Sequence, residues 1–305
     1  FQLQGKDLSF NNLNDLRSSL SLLAEFKEPA SVIIKHAIPC GVAEDKNIFN
    51  AWTKSLKADE LSAFGGVVSL NRNIDNVFFI FLLSHLIVWT LVPSITNNNL
   101  PLDTIEALAW GSNLDWGFDK HPPISAVLVE IFYQIFGSND WAYYLLSQVC
   151  LIICFYVIYN FSSNLFSKKK FSLISVLLLE GIYFFNYTSP EFNVYVAEIP
   201  FWALSVYFCW QGIKNNKIIN WFLLGIFSAF GLLSHYLFIY ILITIVFICF
   251  FFNKINNLNF KFLYSLIPFF LMFYPHLNWV LENDFITLKY GIHRTGSEDK
   301  NLLNH

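Results

Sequence analysis

The chain has 305 residues, 55% of them hydrophobic and 13% charged, with 34 Phe against one Met and a formal net charge of −3. A water-soluble domain carries about 25% charged residues, so the composition excludes a wholly soluble protein, and the bulk charge implies no nucleic-acid partner. The averages hide a break: residues 1–76 spread Lys, Asp and Glu throughout, whereas from Asn76 onward long apolar runs are separated by short polar breaks.

The first part alternates short strand-like and helical pieces. NDLRSSLSLLAEFK (Asn14 to Lys27) has helical spacing, with Asn14 as its cap. Ser31 to Ile34 reads as a buried strand with Lys35 and His36 at its end, and a strand end in an α/β domain is a usual place for a site. The plainer alternative is a core His36, with Pro39-Cys40-Gly41 as a turn. Three stretches, FQLQGKDLSFNNLND, VIIKHAIPCGVAE and SAFGGVVSLNRNID, resemble the transformylase part of the bifunctional purine-biosynthesis enzymes. The resemblance implies AICAR as substrate and 10-formyltetrahydrofolate as formyl donor. It makes Lys35 and His36 the catalytic pair, His36 handling the proton of the amine nucleophile and Lys35 stabilising the transferring formyl group. It covers a small part of that domain, so residues 1–75 are expected to be an incomplete α/β fragment, cytoplasmic and without transformylase activity.

Seven membrane spans are expected, at roughly 77–95, 141–165, 171–187, 193–212, 218–233, 235–252 and 261–278. GLLSHY (Gly231 to Tyr236) is the hairpin that splits the apolar stretch 218–252. Arg72, the run Lys168-Lys169-Lys170, Lys214 with Lys217, and Lys254 with Lys261 fall on one side of this topology, which the positive-inside rule makes cytoplasmic. The other side receives Asp103, Glu106, Asp115, Asp119, Asp140, Glu191, Glu282 and Asp284.

That acidic side holds the longest loop, Leu100 to Gly137. Asp103 and Glu106 are three apart, a spacing that puts both carboxylates on one helix face. Trp110 and Trp116 suit a membrane-interface belt. Lys120 and His121 precede Pro122-Pro123, which can start a helix but not continue one. The following ISAVLVEIFYQIF is amphipathic and short, and is placed along the outer surface. A carboxylate pair at a membrane surface can deprotonate a hydroxyl or bind a metal, and a nearby Lys can hold a lipid-linked phosphate. Equally, Asp103 can cap a helix beginning at Thr104, with the other charges merely solvated. On the residues alone the two readings stand level.

The stretch DTIEALAWGSNLDWGFDKHPPISAVLVEIFYQIFGSNDWAYYL resembles the first outer loop of GT-C class membrane glycosyltransferases, closest to the protein mannosyltransferase-like and aminoarabinose transferase-like group. YTSPEFNVYVAEIPFWAL fits the second outer loop of that family, and PHLNWVLENDFITLKYGIHR its third outer segment, so the likeness covers about 76–297. It implies a mainly α, polytopic transmembrane bundle at 76–305, in the inner (cytoplasmic) membrane, with its active site facing the periplasm. The donor is a polyprenyl-phosphate sugar and the acceptor a lipid, glycan or protein hydroxyl. No metal or other cofactor is expected. Asp103, Glu106 and Glu191 become the catalytic carboxylates, with Asp103 at the family's leading acidic position. Lys120 with His121 becomes the donor-phosphate site, and Trp116 and Phe118 the short aromatic stretch. The chain departs from the pattern in splitting its acidic motif as Asp-x-x-Glu, and in carrying His235 where many relatives have Lys. It is expected to stop short of the remaining spans and of a C-terminal periplasmic domain.

Two ionisable residues fall inside spans. Glu180 is read as hydrogen-bonding a neighbouring helix near the outer end, and His85 as an interhelical hydrogen-bonding residue. The cysteines, Cys40, Cys150, Cys154, Cys209 and Cys249, form no CxxC pair and suggest no disulfide frame or zinc site. Cys150 and Cys154 share a helix face as small packing residues. No signal peptide opens the chain, and Phe1 in place of Met suggests that it begins partway through a longer reading frame. The junction near Asp75 has no linker composition, so the chain reads as a chimera of two unrelated genes. Two other classes stand beside the transferase: an AICAR formyltransferase fused to a membrane segment, and a transporter or lipid-binding scaffold. Ionisable residues gathered in outer loops, rather than at the bilayer midplane, favour interfacial chemistry.

Overall fold

Ser9 starts the first helix because its side chain and that of Asn12 satisfy each other's backbone N–H groups, at 3.2 Å each way. The helix, α1, runs Phe10–Leu23. The cap is therefore Ser9 rather than the expected Asn14, which lies inside the helix: the reciprocal Ser-x-x-Asn box offers two bonds where a lone Asn offers one. The computed structural model describes residues 9–72, 77–166, 169–256 and 260–294. The junction at Asp75 and Asn76, Lys168 and the side chain of Lys169 lie outside the described residues.

Contacts divide the chain into two units, Phe1–Phe81 and Leu82–His305. In the first, β1 (Ala30–Lys35) is the central strand of an antiparallel sheet, between β2 (Ile38–Glu44) and β3 (Val67–Leu70). Val32 and Ile34 pack with Leu23 of α1 in its core. Helices α2 (Ile48–Ala58) and α3 (Glu60–Ala63) complete it. Pro39-Cys40-Gly41 is not a turn but part of β2, and the turn is His36-Ala37. Gly41 is required there, since a Cβ would stand 1.9 Å from the Ser55 carbonyl oxygen of α2. Asn71 ties the end of β3 back, accepting from Ala30 N at 2.8 Å and donating to the Glu28 carbonyl at 2.7 Å.

The second unit is helical, and most of α4 (Val77–Thr96) belongs to it. There follow α5 (Leu102–Gly111), α6 (Ile124–Phe136), α7 (Asp140–Leu165) and α8 (Lys169–Glu180). The remainder are α9 (Val194–Asn215), α10 (Ile218–Ser234), α11 (Ile239–Asn256), α12 (Leu266–Glu282) and α13 (Ile286–Arg294). Among the described residues three helical segments are long and apolar enough to cross a membrane: Val77–Thr96, Asp140–Leu165 and Tyr236–Ile255. Segment 171–187 is not one continuous helix. Its helix stops at Glu180, before Gly181, and 12 residues reach only roughly 18 Å of a hydrocarbon core about 30 Å thick. The end of α9, the start of α10 and the end of α11 meet around Trp221, with Cys209 and Cys249 in the same core. All five cysteines are free, and four of them are buried.

Candidate active site

Helix α5 begins directly after Pro101, with no side-chain cap. Asp103 is thus not the cap of a helix starting at Thr104. It lies in the first turn, where the helix dipole favours an anion. Thr104 turns inward instead, and its hydroxyl donates to the Phe192 carbonyl at 3.0 Å, tying α5 to the segment that leads into α9. The three-residue spacing brings Asp103 and Glu106 to one small cavity of about 20 Å³, lined also by Trp110, His121, Ser125 and Asn193. That is room for a single water-sized group.

Lys120 forms an ion pair with Glu106. Its Nζ also lies 6.0 Å from the centre of the Tyr290 ring. The hydrogen bond to Glu106 holds the Lys120 ammonium above its ordinary range, so this cation is fixed at neutral pH. Asp103 has neither hydrogen bond nor ion pair among the described residues, which leaves it as the unengaged carboxylate of the two. Burial pushes the His121 imidazole below its usual value, against the pull of Glu106 and Asp103. Partial burial, then the charge of Asp103, holds the Glu191 carboxyl above the usual range. Glu191 lines a neighbouring cleft, of about 310 Å³, with Trp89, Asn97 and Tyr144. The structure therefore brings Asp103, Glu106, Lys120 and His121 together and sets Glu191 beside them.

The loop carrying Lys120 is held from the far end of the chain. Thr287 donates to the Phe118 carbonyl at 2.6 Å, and Trp279 Nε1 to Asp115 at 2.8 Å. Gly117 lets Trp279 close in, since a Cβ would lie 2.4 Å from that ring. His276 Nδ1 lies 2.5 Å from the Trp116 carbonyl. A carbonyl only accepts, so Nδ1 carries the proton, and Nε2 accepts from the Tyr236 hydroxyl at 2.8 Å. Trp110 stacks on Phe118 at 5.2 Å and meets the His121 ring edge-on. It is a wall of the site rather than a belt residue, whereas the Trp116 side chain is 56% exposed.

Reading from the sequence missed His276, Tyr236, Trp279, Thr287 and Glu198. The rule that flags ionisable residues inside apolar runs, applied to Glu180 and His85, also reaches His276 and Glu198. Glu180 and His85 themselves pair between helices, His85 Nδ1 lying 2.8 Å from Glu180 Oε2, and Trp89 donates to Glu180 at 3.4 Å.

In the first unit Lys35 and His36 stand at the end of β1. His36 and Ala37 form a two-residue hairpin turn with φ of 53° and 60°, both left-handed. The Asp15 carboxylate of α1 accepts from both their N–H groups, at 3.2 and 2.7 Å. Lys35 Nζ donates to the Phe64 carbonyl at 2.9 Å.

The family model for dolichyl-phosphate-mannose-protein mannosyltransferases matches residues 120–279, just over half of the chain. The chain belongs to that family. The match takes in Lys120 and His121 and runs through α12 to Trp279, so this mannosyltransferase-family region is a membrane glycosyltransferase domain. A second model, for the AICARFT/IMPCHase bienzyme, matches residues 1–100. The bifunctional purine biosynthesis protein PurH of Thermoanaerobacter sp. (strain X514) is 57% identical over 74 residues, covering 24% of this chain and 15% of the relative. That of Anoxybacillus flavithermus is 43% identical over 103 residues, covering 34% and 20%. That of Acidithiobacillus ferrooxidans is 34% identical over 148 residues, covering 46% and 28%. The chain thus spans less than a third of the length of these relatives. No solved structure matches.

Proposed function

We propose that the membrane part transfers a sugar from a polyprenyl-phosphate donor to a hydroxyl acceptor at the periplasmic face, with inversion at the anomeric carbon. The observation that carries this reading is the convergence on one cluster of the segments that the basic residues assign to the outer side. The 97–140 loop binds the second outer loop through Thr104 and Phe192, the α10–α11 hairpin through His121 and His235, and the end of α12 through Asp115 and Trp279. Seven spans, multi-pass in the inner membrane, are the topology this convergence supports, with α8 and the segment after it serving as one short span.

Asp103 takes the proton of the acceptor hydroxyl, whose oxygen bonds to the anomeric carbon as the carbon–oxygen bond to phosphate breaks. The departing polyprenyl phosphate is already an anion and needs charge stabilisation more than a proton, which Lys120 supplies. An arriving phosphate competes with Glu106 for that ammonium. Glu191 orients the donor or acceptor from the neighbouring cleft. Cytoplasmic residues 1–75 are a transformylase fragment without turnover, joined to the membrane part in a chimera. Incubating the complete gene product with a panel of polyprenyl-phosphate sugars tests the reading. Solute transport by reconstituted protein, without sugar transfer, overturns it, and turnover of AICAR with formyl-folate by residues 1–76 overturns the reading of the fragment.

A further inference from the structure

A second cavity, of about 500 Å³, lies between α7, α9 and α11, with Cys154, Phe161, Trp202 and Ile241 among its apolar walls. Only one of its lining residues is acidic: Glu198, on α9. Glu198 is 6% exposed, and its Oε2 has no hydrogen-bond partner among the described residues. The neighbouring His235 Nδ1 is 3.8 Å away, too far for a hydrogen bond. A buried carboxyl oxygen without a hydrogen-bond partner is a standing cost that a ligand can relieve.

We propose that this cavity binds an uncharged amphiphile that carries a hydroxyl group, its chain in the apolar volume and its hydroxyl donating to Glu198 Oε2. The volume falls within the range of small-molecule sites. The chemistry of the wall selects the head group. None of the residues lining the cavity is a cation that could offset a phosphate's charge in low dielectric, so this is the wrong place for the phosphate end of a lipid-linked donor, and the right one for an alcohol. The cavity's polar end adjoins the carboxylate site. The His235 ring lies 4.8 Å from Tyr195, a lining residue, and 5.8 Å from His121, which lines the Asp103 cavity. On the glycosyl-transfer reading, and resting on it for this step alone, such a molecule is the acceptor: a lipid-borne hydroxyl rather than a protein side chain.

Photolabelling of the purified full chain in detergent tests the proposal, with a diazirine-bearing fifteen-carbon prenyl alcohol as probe. Labels should map to α7 and α9. Unlabelled prenyl alcohol should compete about tenfold more strongly than the matching prenyl phosphate. Glu198→Leu should reduce labelling about tenfold, while Glu198→Gln, which keeps an accepting oxygen, should retain most of it, and Lys120→Ala should leave it unchanged. Equal labelling by a hydrocarbon lacking the hydroxyl, or equal competition by the phosphate, overturns the proposal on the unaltered protein. Binding is read without any sugar donor. Specific labelling in a protein that transfers no sugar therefore supports this site while the transfer reading falls.

Discussion

The two units hold candidate sites built on opposite plans. Lys35 and His36 sit on one hairpin, fixed by a carboxylate only 21 and 22 residues away in sequence, and that local frame stands in a chain spanning less than a third of its relatives. Asp103, Glu106, Lys120 and His121 depend on contacts 88 to 169 residues away, through Phe192, His276, Trp279 and Thr287. A site of the first kind is set by a few residues close together in the chain. A site of the second kind exists only once distant segments have folded around it.

The sharpest break of this comparison is removal of one charge at the dispersed site. In a complete chain, Asp103→Asn should lower sugar transfer by about 10²–10⁴-fold, the range for losing a general base, with donor binding intact. Near-normal turnover in both Asp103→Asn and Glu106→Gln makes the pair structural. Next in size is Lys120→Ala. A hydrogen bond to a charged partner contributes about 1.5–3 kcal/mol, so donor affinity should fall roughly 10- to 150-fold. Glu106→Gln should tighten donor binding by freeing the ammonium. Both changes are read by equilibrium binding of a labelled donor.

A pH titration sharpens the same point. Lys120 is held above its ordinary value and stays charged from pH 7 to 9, while His121 is held below its ordinary value and is neutral there. Donor affinity should be flat across that window, and His121→Gln should change it by less than about threefold, the scale of a neutral hydrogen bond. A fall in affinity on raising the pH from 7 to 9, abolished in His121→Gln, shows the imidazole to be the cation instead.

Legibility followed the same division between local and dispersed. The strand at Ser31 to Ile34, the α5 face bearing Asp103 and Glu106, and the helix starting at Pro122-Pro123 were readable because each is fixed by neighbours within a few residues. The ion pair of Glu106 with Lys120 was not, since spacing along the chain does not say how the intervening loop folds back. His276 and Glu198 were hidden for a different reason. They lie in long apolar runs that read as lipid-facing, and only tertiary packing shows that His276 is wholly buried. The end of α8 at Glu180 was missed because hydropathy continued to Tyr187, whereas Gly181 and the Asn186 side chain, which donates to the Glu180 carbonyl, stop the helix.

Effects on stability alone test how firmly the local site is held. His36 and Ala37 both occupy the left-handed region, at roughly 1–2 kcal/mol each for a residue with a Cβ. Two-residue turns of this type favour glycine at the second position for that reason. Ala37→Gly removes the clash but gives the unfolded chain more freedom, worth about 0.4–1 kcal/mol, so the net gain should be about 0.5–1 kcal/mol. Asp15→Ala acts the other way, stripping the acceptor from both turn N–H groups at about 1–3 kcal/mol. Hydrogen exchange at the Ala37 amide of the full chain reads both changes. Exchange should accelerate in Asp15→Ala and slow in Ala37→Gly, because the turn opens less often. Unchanged exchange in Asp15→Ala means that the strand pairing alone fixes the turn, and the carboxylate is then no part of the frame around Lys35 and His36.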